Sequence, residues 1–135
     1  MSRSRIGVIG GGPGGSSFAL SLTNLGVSPG DITIVDQAHF PRPKLCGGGL
    51  THRGTELVHA LLGEQPLGGG ETRGLEFRCA IGAVNVIERG PQWLYDRGHL
   101  DNLLLAECKA RGVNVIEGER VRDIEPHADG FRVIT

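Results

Sequence analysis

One glycine-rich stretch near the start of the chain limits the fold more than any other feature. An apolar run (Ile6, Val8, Ile9) is followed by glycines at G-x-G-x-x-G spacing, Gly10, Gly12 and Gly15. Apolar residues then recur at helical spacing until Gly26, and they are Phe18, Ala19, Leu22 and Leu25. The stretch therefore predicts a buried strand, a tight glycine turn and a helix.

Each glycine has its own role in a turn of this kind. Gly10 permits the tight turn, Gly12 lets the backbone approach a pyrophosphate, and Gly15 lets the helix pack closely on the strand. The phosphates would lie on unpaired N–H groups at the positive end of the helix dipole. We include the intervening Pro13 and Gly14 among the predicted cofactor-binding residues.

The residues after the helix strengthen this interpretation. The chain has 23 glycines in 135 residues, so the spacing alone would also suit a flexible turn. However, a second apolar run at residues 32–35 ends in Asp36, twenty-one residues after Gly15. An acidic residue at this place binds the adenosine ribose hydroxyls and disfavours a 2′-phosphate. The combination predicts dinucleotide binding.

Residues 37–50 contain two prolines and end with three glycines before Leu50, which argues against a regular helix or a central strand. We predict a long loop that leaves the carboxyl end of the second strand, the edge where open α/β sheets bind ligands. An ordinary surface connection would not explain why Cys46 lies between Lys44 and the glycine triplet.

The segment F-P-R-P-K-L-C-G-G-G-L, residues 40–50, resembles the geranylgeranyl reductase branch of FAD-dependent oxidoreductases. This branch belongs with the para-hydroxybenzoate hydroxylase-like flavoproteins, which include aromatic hydroxylases and halogenases. The resemblance implies that FAD is the cofactor and that this loop runs beside the flavin. It implies cofactor contacts from Cys46, Gly47 and Gly49, with Cys46 on the reaction side as the candidate catalytic residue. We include Lys44 of the same loop among the predicted cofactor-binding residues.

A second segment supports the same resemblance. The R-x-x-L-D arrangement of residues 97–101 resembles the element whose arginine, here Arg97, meets the FAD pyrophosphate. A guanidinium suits phosphate because it is a planar fork of donors. A surface charge ahead of a helix is the alternative. Asp101 would suit the dipole of the first helical turn, and the resemblance implies that the backbone of Val121 touches the adenine.

The remaining elements are assigned from periodicity. We predict a helix with Thr51 as its N-cap that runs to Leu62 before Gly63, with one face formed by Leu57, Val58, Leu61 and Leu62. A loop over residues 63–74, two short strands on either side of Gly82 and a buried Cys79 follow. A helix with Leu100, Leu103, Leu104 and Cys108 on one face should end at Gly112. After it we expect a third parallel strand at 113–116. Antiparallel strands at 121–125 and 131–135 would be joined by a turn at Asp129 and Gly130.

The predicted fold is α/β: a Rossmann-like FAD/NAD(P)-binding domain with a parallel sheet, a β-meander crossover and the start of an inserted substrate-binding sheet. We divide it into a fingerprint unit (4–36), a cofactor loop (37–50), an inserted helix and strands (51–95), and a helix, third strand and meander (97–135). The resembling family continues beyond this length with a second flavin motif. We therefore expect an N-terminal portion that needs the remaining half of the fold and shows no turnover alone.

Composition excludes several classes of function. The net charge of −1 gives no sign of a nucleic-acid partner. The three cysteines form neither a disulfide framework nor a zinc pattern, so we expect no metal and a reduced, cytoplasmic protein. No apolar run is long enough to cross a membrane. Peripheral membrane association stays open, because the resemblance implies a small hydrophobic substrate.

The resemblance implies a flavin oxidoreductase that reduces isoprenoid C=C bonds, with NAD(P)H as an electron donor that the fingerprint does not itself bind. Three alternatives stay open. One is a flavin-dependent monooxygenase or halogenase, and another is an NAD-dependent dehydrogenase. The third is a non-catalytic nucleotide-binding fragment.

Overall fold

A computed structural model describes residues 5–63 and 67–135 of the chain. The elements follow in the order β1 (Ile6–Ile9), α1 (Pro13–Asn24), β2 (Ile32–Asp36), β3 (Gly49–Leu50), α2 (His52–Leu62), β4 (Gly70–Cys79), β5 (Gly82–Leu94), α3 (Arg97–Ala110), β6 (Asn114–Glu117), β7 (Asp123–His127) and β8 (Gly130–Ile134). A short 3-10 turn, Pro29–Asp31, precedes β2. The fold is mixed α/β and Rossmann-like, as predicted.

The central sheet is parallel, with strand order β1-β2-β6, so the predicted third parallel strand is confirmed. One face of the sheet packs against α1 and α3. Its buried centre contains Val8, Ile32 and Ile34 with side chains from both helices. The prediction of a buried strand is confirmed for Val8 and wrong for Ile9, which is 53% exposed. The two differ because alternate residues of a strand face opposite sides of the sheet.

Helix α1 buries only part of the predicted stripe, since Ala19 is buried and Leu22 packs, partly buried, against the core. Its buried residues are Ser16, Ala19 and Leu20, whereas Phe18 is 51% and Leu25 is 81% exposed. Phe18 and Leu25 are seven residues apart and so lie on the same side of the helix, which here faces solvent. The predicted end of the helix is confirmed, since α1 stops at Asn24 and Leu25 is its C-cap.

A second, antiparallel sheet has the order β3-β5-β4. It corrects the prediction that residues 37–50 are loop throughout, because Gly49 and Leu50 pair with the end of β5. The strands around Gly82 are longer than predicted: β4 begins at Gly70, inside the predicted loop, of which residues 64–66 lie outside the described ranges. Cys79 is exposed rather than buried, because it lies at the end of this hairpin.

Helix α2 begins as predicted, with the Thr51 hydroxyl accepting a hydrogen bond from the Gly54 N–H at 3.2 Å. Its buried residues are Thr55, Val58 and Leu61, and Leu57 is exposed, which corrects the predicted apolar face. In α3 the Asp96 side chain caps the first turn by accepting from the His99 N–H at 3.2 Å.

Strands β7 and β8 form the predicted hairpin with its turn before Gly130. Both strands are shifted from the predicted bounds, and Val121 precedes β7 instead of beginning it. Within the described ranges, none of the helices combines the length and apolar character needed to cross a bilayer.

Candidate functional site

A groove of about 450 Å³ lies where the carboxyl ends of β1 and β2 meet the loops that follow them. The two strand ends are joined by a hydrogen bond from the Gly10 N–H to the Val35 carbonyl at 2.8 Å. Four of the residues predicted from the sequence line this groove: Gly10, Asp36, Lys44 and Val121. The other lining residues are Ile9, Val35, Gln37, Ala38, Arg42, Pro43, Glu119 and Arg120.

The fingerprint glycines meet different surroundings. A Cβ built on Gly15 would lie 1.9 Å from the Gly10 carbonyl oxygen, so only glycine permits this close contact between helix and turn. A Cβ on Gly12 would lie 3.3 Å from Nη2 of Arg42, a movable side chain. Gly14 faces open space. Pro13 is the first residue of α1, and no side chain in the described part of the protein caps the N-terminus at Gly12.

The Asp36 carboxylate is fixed by two backbone donors. Its Oδ2 accepts from the Gly11 N–H at 2.7 Å, and its Oδ1 accepts from the Ala38 N–H at 2.8 Å. Asp36 is 9% exposed, and its hydrogen bond to Gly11 joins the glycine turn to the end of β2. A carboxylate oxygen can accept more than one hydrogen bond, so each oxygen retains capacity for a ribose hydroxyl.

The prediction that Asp101 lies in the first turn of its helix was wrong, because α3 begins four residues earlier, at Arg97. The Asp101 side chain is fully buried and accepts two hydrogen bonds from Arg97, Nε to Oδ1 at 2.7 Å and Nη2 to Oδ2 at 3.1 Å. Arg42 Nη2 lies 3.5 Å from the same Oδ2. Buried charges require such partners, and here one carboxylate holds two guanidinium groups beside Gly12.

The Cys46 side chain is exposed and takes part in the same cluster. Its Sγ accepts from the Gly48 N–H at 3.5 Å and from Nη1 of Arg97 at 3.2 Å. The Gly48 hydrogen bond, followed by the Arg97 guanidinium, lowers the pKa of this thiol below the usual value of about 9.0. The Asp101 hydrogen bonds, in turn, raise the pKa of Arg97, so the guanidinium stays charged.

The middle glycine of the triplet is the one that the backbone requires. Gly48 has φ +71°, and a Cβ there would lie 1.9 Å from the Tyr95 carbonyl oxygen. Tyr95 also donates its N–H to the Gly48 carbonyl at 2.9 Å. The predicted contacts Gly47 and Gly49 lie outside the described groove, with Gly49 in β3.

The predicted site residues thus fall into two groups. Gly10, Asp36, Lys44 and Val121 line the groove. Arg97 donates directly to Cys46 and to Asp101, whose carboxylate lies beside Gly12. Sequence analysis missed Arg42, which lines the groove and pairs with Asp101, so that it connects the two groups. The position of Arg42 between two prolines of the predicted cofactor loop could have indicated that it belongs to the site. Among the described residues, no three His, Cys, Asp or Glu side chains are grouped as metal ligands.

Comparisons with known proteins agree with this architecture. No protein-family model matches the chain. A menaquinone reductase of Mycobacterium tuberculosis (strain H37Rv) is 38% identical over 131 residues, which cover 93% of this chain and 31% of the relative. A menaquinone reductase of Mycolicibacterium smegmatis is 44% identical over 60 residues, covering 44% of this chain and 14% of the relative.

Among solved structures, the myxobacterial chondrochloren halogenase CndH, an FAD-dependent halogenase, has a TM-score of 0.79 and 26% identity over 95% of this chain and 31% of its own. The flavin-dependent brominase Bmp2 has a TM-score of 0.78 and 21% identity over 93% of this chain and 32% of its own. The M. tuberculosis relative and the chondrochloren halogenase match nearly the whole of this chain, yet the chain spans only about 31% of their length. Its fold is that of the FAD-binding domain of flavin-dependent oxidoreductases and halogenases.

Proposed function

We propose that this chain is the FAD-binding portion of a flavin-dependent oxidoreductase. The observation that carries the proposal is the cluster of Arg42 and Arg97, held by the buried Asp101 beside Gly12 and the start of α1. Two guanidinium groups, a glycine and a helix N-terminus supply the charge and the close backbone approach that a pyrophosphate needs.

The residues present fit an extended FAD adenosine diphosphate. Val121 and Asp36 line the same groove at the end of β2, which supports the assignment of adenine and ribose to it. Gly12 leaves a space that a Cβ would occupy within 3.3 Å of Arg42. We assign the ribose hydroxyls to Asp36, the pyrophosphate to the fingerprint (Gly10, Gly12, Pro13, Gly14, Gly15) with both arginines, and the flavin side to Cys46, Gly47 and Gly49. Lys44 lines the same groove as Asp36, so we assign it to the adenosine side.

When bound, the flavin would supply hydride transfer, and the chain's own residues would bind and orient it. Asp36 is already fixed by two N–H donors, and Arg97 by two bonds to Asp101. Such prearranged groups lose little conformational freedom on binding. Cys46 lies on the exposed side of this cluster, so we place it as the candidate reactive residue facing the flavin.

For the whole protein we propose reduction of an isoprenoid C=C bond in a small hydrophobic substrate, with NAD(P)H as the electron source. The cofactor loop is similar to that of geranylgeranyl reductases, and the relatives bear the name menaquinone reductase. Menaquinones are isoprenoid-substituted quinones, so the loop resemblance and the name of these relatives both support a polyisoprenoid substrate. We also propose that the whole protein is cytoplasmic and associates peripherally with membranes to reach such a substrate.

A halogenase or monooxygenase is the second candidate. The 26% identity to a chondrochloren halogenase over 95% of the chain favours it. The K-x-C-G-G-G sequence of the loop favours the reductase. An assay of the full-length protein separates the two: the reductase consumes reduced flavin with an alkene as acceptor, whereas the halogenase needs oxygen and halide.

The cofactor assignment is tested by Gly12→Val, measured by titration of the purified chain with FAD. The added side chain would meet only the movable side chain of Arg42, so we expect the variant to fold. It would also fill the space proposed for the pyrophosphate, so the variant should no longer bind FAD. Gly7→Val is the matched control. Gly7 lies in β1 with no neighbouring atom within 4 Å of a Cβ, so this variant should bind like the wild type. Normal FAD affinity in Gly12→Val would show that the fingerprint does not hold the cofactor.

A further inference from the structure

Arg97 divides its N–H groups between two acidic partners. Its Nε and Nη2 donate to the Asp101 carboxylate, and its Nη1 donates to Cys46 Sγ at 3.2 Å. An arginine has five N–H groups, so one remains on Nη1 and one on Nη2. The side chain is 19% exposed and anchored at two points, so a further anion must come to the guanidinium where it stands, next to the sulfur.

We propose that the Cys46 thiolate and the pyrophosphate of the cofactor share the Arg97 guanidinium, so that each weakens the binding of the other. The inference rests on the proposed function, which brings a pyrophosphate to Arg97. It goes beyond that function because it makes the cofactor affinity depend on the ionisation of Cys46. Any neutral form of the residue, protonated or alkylated, would leave the guanidinium to the cofactor.

The two physical effects of sharing act in the same direction. Two anions on one guanidinium repel each other, and they also compete for its remaining N–H groups. The charges that act on Cys46 from α3 are Arg97 and Asp101, and from its own loop the Gly48 N–H contributes a hydrogen bond. Asp101 is held by both arginines and does not move toward the thiol. Among these groups, Cys46 is therefore the one whose charge changes with pH.

The sign of the pH dependence follows from the ionisation. Because the pKa of Cys46 lies below its ordinary value, raising the pH converts the thiol to thiolate within the range where the protein can be studied. FAD affinity should then fall as the pH rises. Reciprocally, bound FAD should raise the pH at which Cys46 ionises, as linkage requires.

The test measures FAD dissociation constants at about pH 6 and about pH 9, the upper value being the ordinary cysteine pKa from which that of Cys46 is lowered. The pyrophosphate diester of FAD does not titrate in this interval. Wild-type affinity should fall about threefold to tenfold, the size expected for two partly screened charges. Cys46→Ser, which keeps the size but cannot ionise, should show no such fall. Cys79→Ser, at another exposed cysteine, should behave like the wild type.

Alkylation of Cys46 by iodoacetamide, followed against pH in the Cys79→Ser background, gives the reciprocal measurement. Cys108 does not interfere, because burial raises its pKa to about 11. FAD should move the midpoint of the alkylation profile to higher pH. Simple shielding by the cofactor would instead lower the plateau rate and leave the midpoint where it was, and that result would overturn the inference.

The outcomes separate the two proposals. Because the chain spans about 31% of its relatives, the titration extends to the high FAD concentrations that weak binding by a portion of the fold requires. If the wild-type chain binds no FAD there at either pH, the proposed function is wrong and the inference fails with it. If FAD binds but Cys46→Ser keeps the full pH dependence, the inference alone fails, and other titrating groups must be responsible. Should the serine variant not fold, iodoacetamide-alkylated wild type replaces it, and a retained pH dependence there would have the same meaning.

Discussion

Replacing Gly15 with alanine should destabilise the fold before any cofactor is considered. The added Cβ would lie 1.9 Å from the Gly10 carbonyl oxygen and 3.1 Å from Val8 Cγ1. The first contact is about 1.5 Å shorter than the 3.4 Å at which ordinary Cβ contacts begin. Because the oxygen belongs to the backbone, α1 and the glycine turn must separate to relieve it.

The magnitude follows from two opposing effects. Alanine favours a helix over glycine by up to about 1 kcal/mol, while overpacking typically costs about 1–3 kcal/mol, and a backbone contact this short belongs at the upper end. We expect a net loss of about 2 kcal/mol. For a domain of this size that corresponds to a fall in Tm of about 8 °C.

The neighbouring Gly14→Ala is the matched control. It lies in the same first turn of α1, with nothing within 4 Å of its Cβ position, so it should raise Tm by about 2–4 °C. Thermal unfolding of both variants without cofactor gives the comparison. If Gly15→Ala melts at or above the wild-type temperature, the close packing of α1 on the Gly10 turn is not a real constraint on this fold.

Three further predictions concern the cofactor, the thiols and the helices. Asp36→Ala should weaken FAD binding by about 1.5–3 kcal/mol for each ribose hydrogen bond lost, and an unchanged titration would remove Asp36 from the site. Without cofactor, Cys46 should alkylate fastest because its pKa is lowered, Cys79 more slowly, and the buried Cys108, with a pKa of about 11, slowest; peptide mapping with Cys46 last would contradict this order. Arg111→Met should cost about 2–3 kcal/mol in urea unfolding, because the guanidinium donates to groups on all three helices; a loss below about 0.5 kcal/mol would show that these bonds contribute little.

The parts of the fold that depend on local pattern could be predicted from the sequence. The glycine spacing and the Asp36 position define the first β-α-β unit, and the Thr51 cap and Gly63 define α2. Burial was predicted less well, because it depends on which side of an element meets a neighbour. Phe18 has the apolar character and spacing of a core residue but is 51% exposed.

Long-range pairing was the harder part of the architecture. Gly49 and Leu50 look like the end of a flexible loop, because Gly49 is the last of three consecutive glycines and Leu50 follows it. They form a strand only because the end of β5, more than forty residues later in the chain, lies alongside. No local periodicity can indicate such a partner, and the same holds for the early start of β4.

The binding cluster shows why a site can be predicted residue by residue and still be incomplete. Arg97 was identified because it belongs to a recognisable segment, and the same segment gave Asp101 a position on the helix but not its partners. The role of Asp101 depends on Arg42, fifty-nine residues earlier in the sequence, whose guanidinium reaches the same carboxylate oxygen. A fully buried carboxylate with a single arginine would leave that arginine neutralised. With two arginines, and with Cys46 protonated, the cluster keeps a net positive charge beside Gly12. That surplus charge is what a pyrophosphate would require.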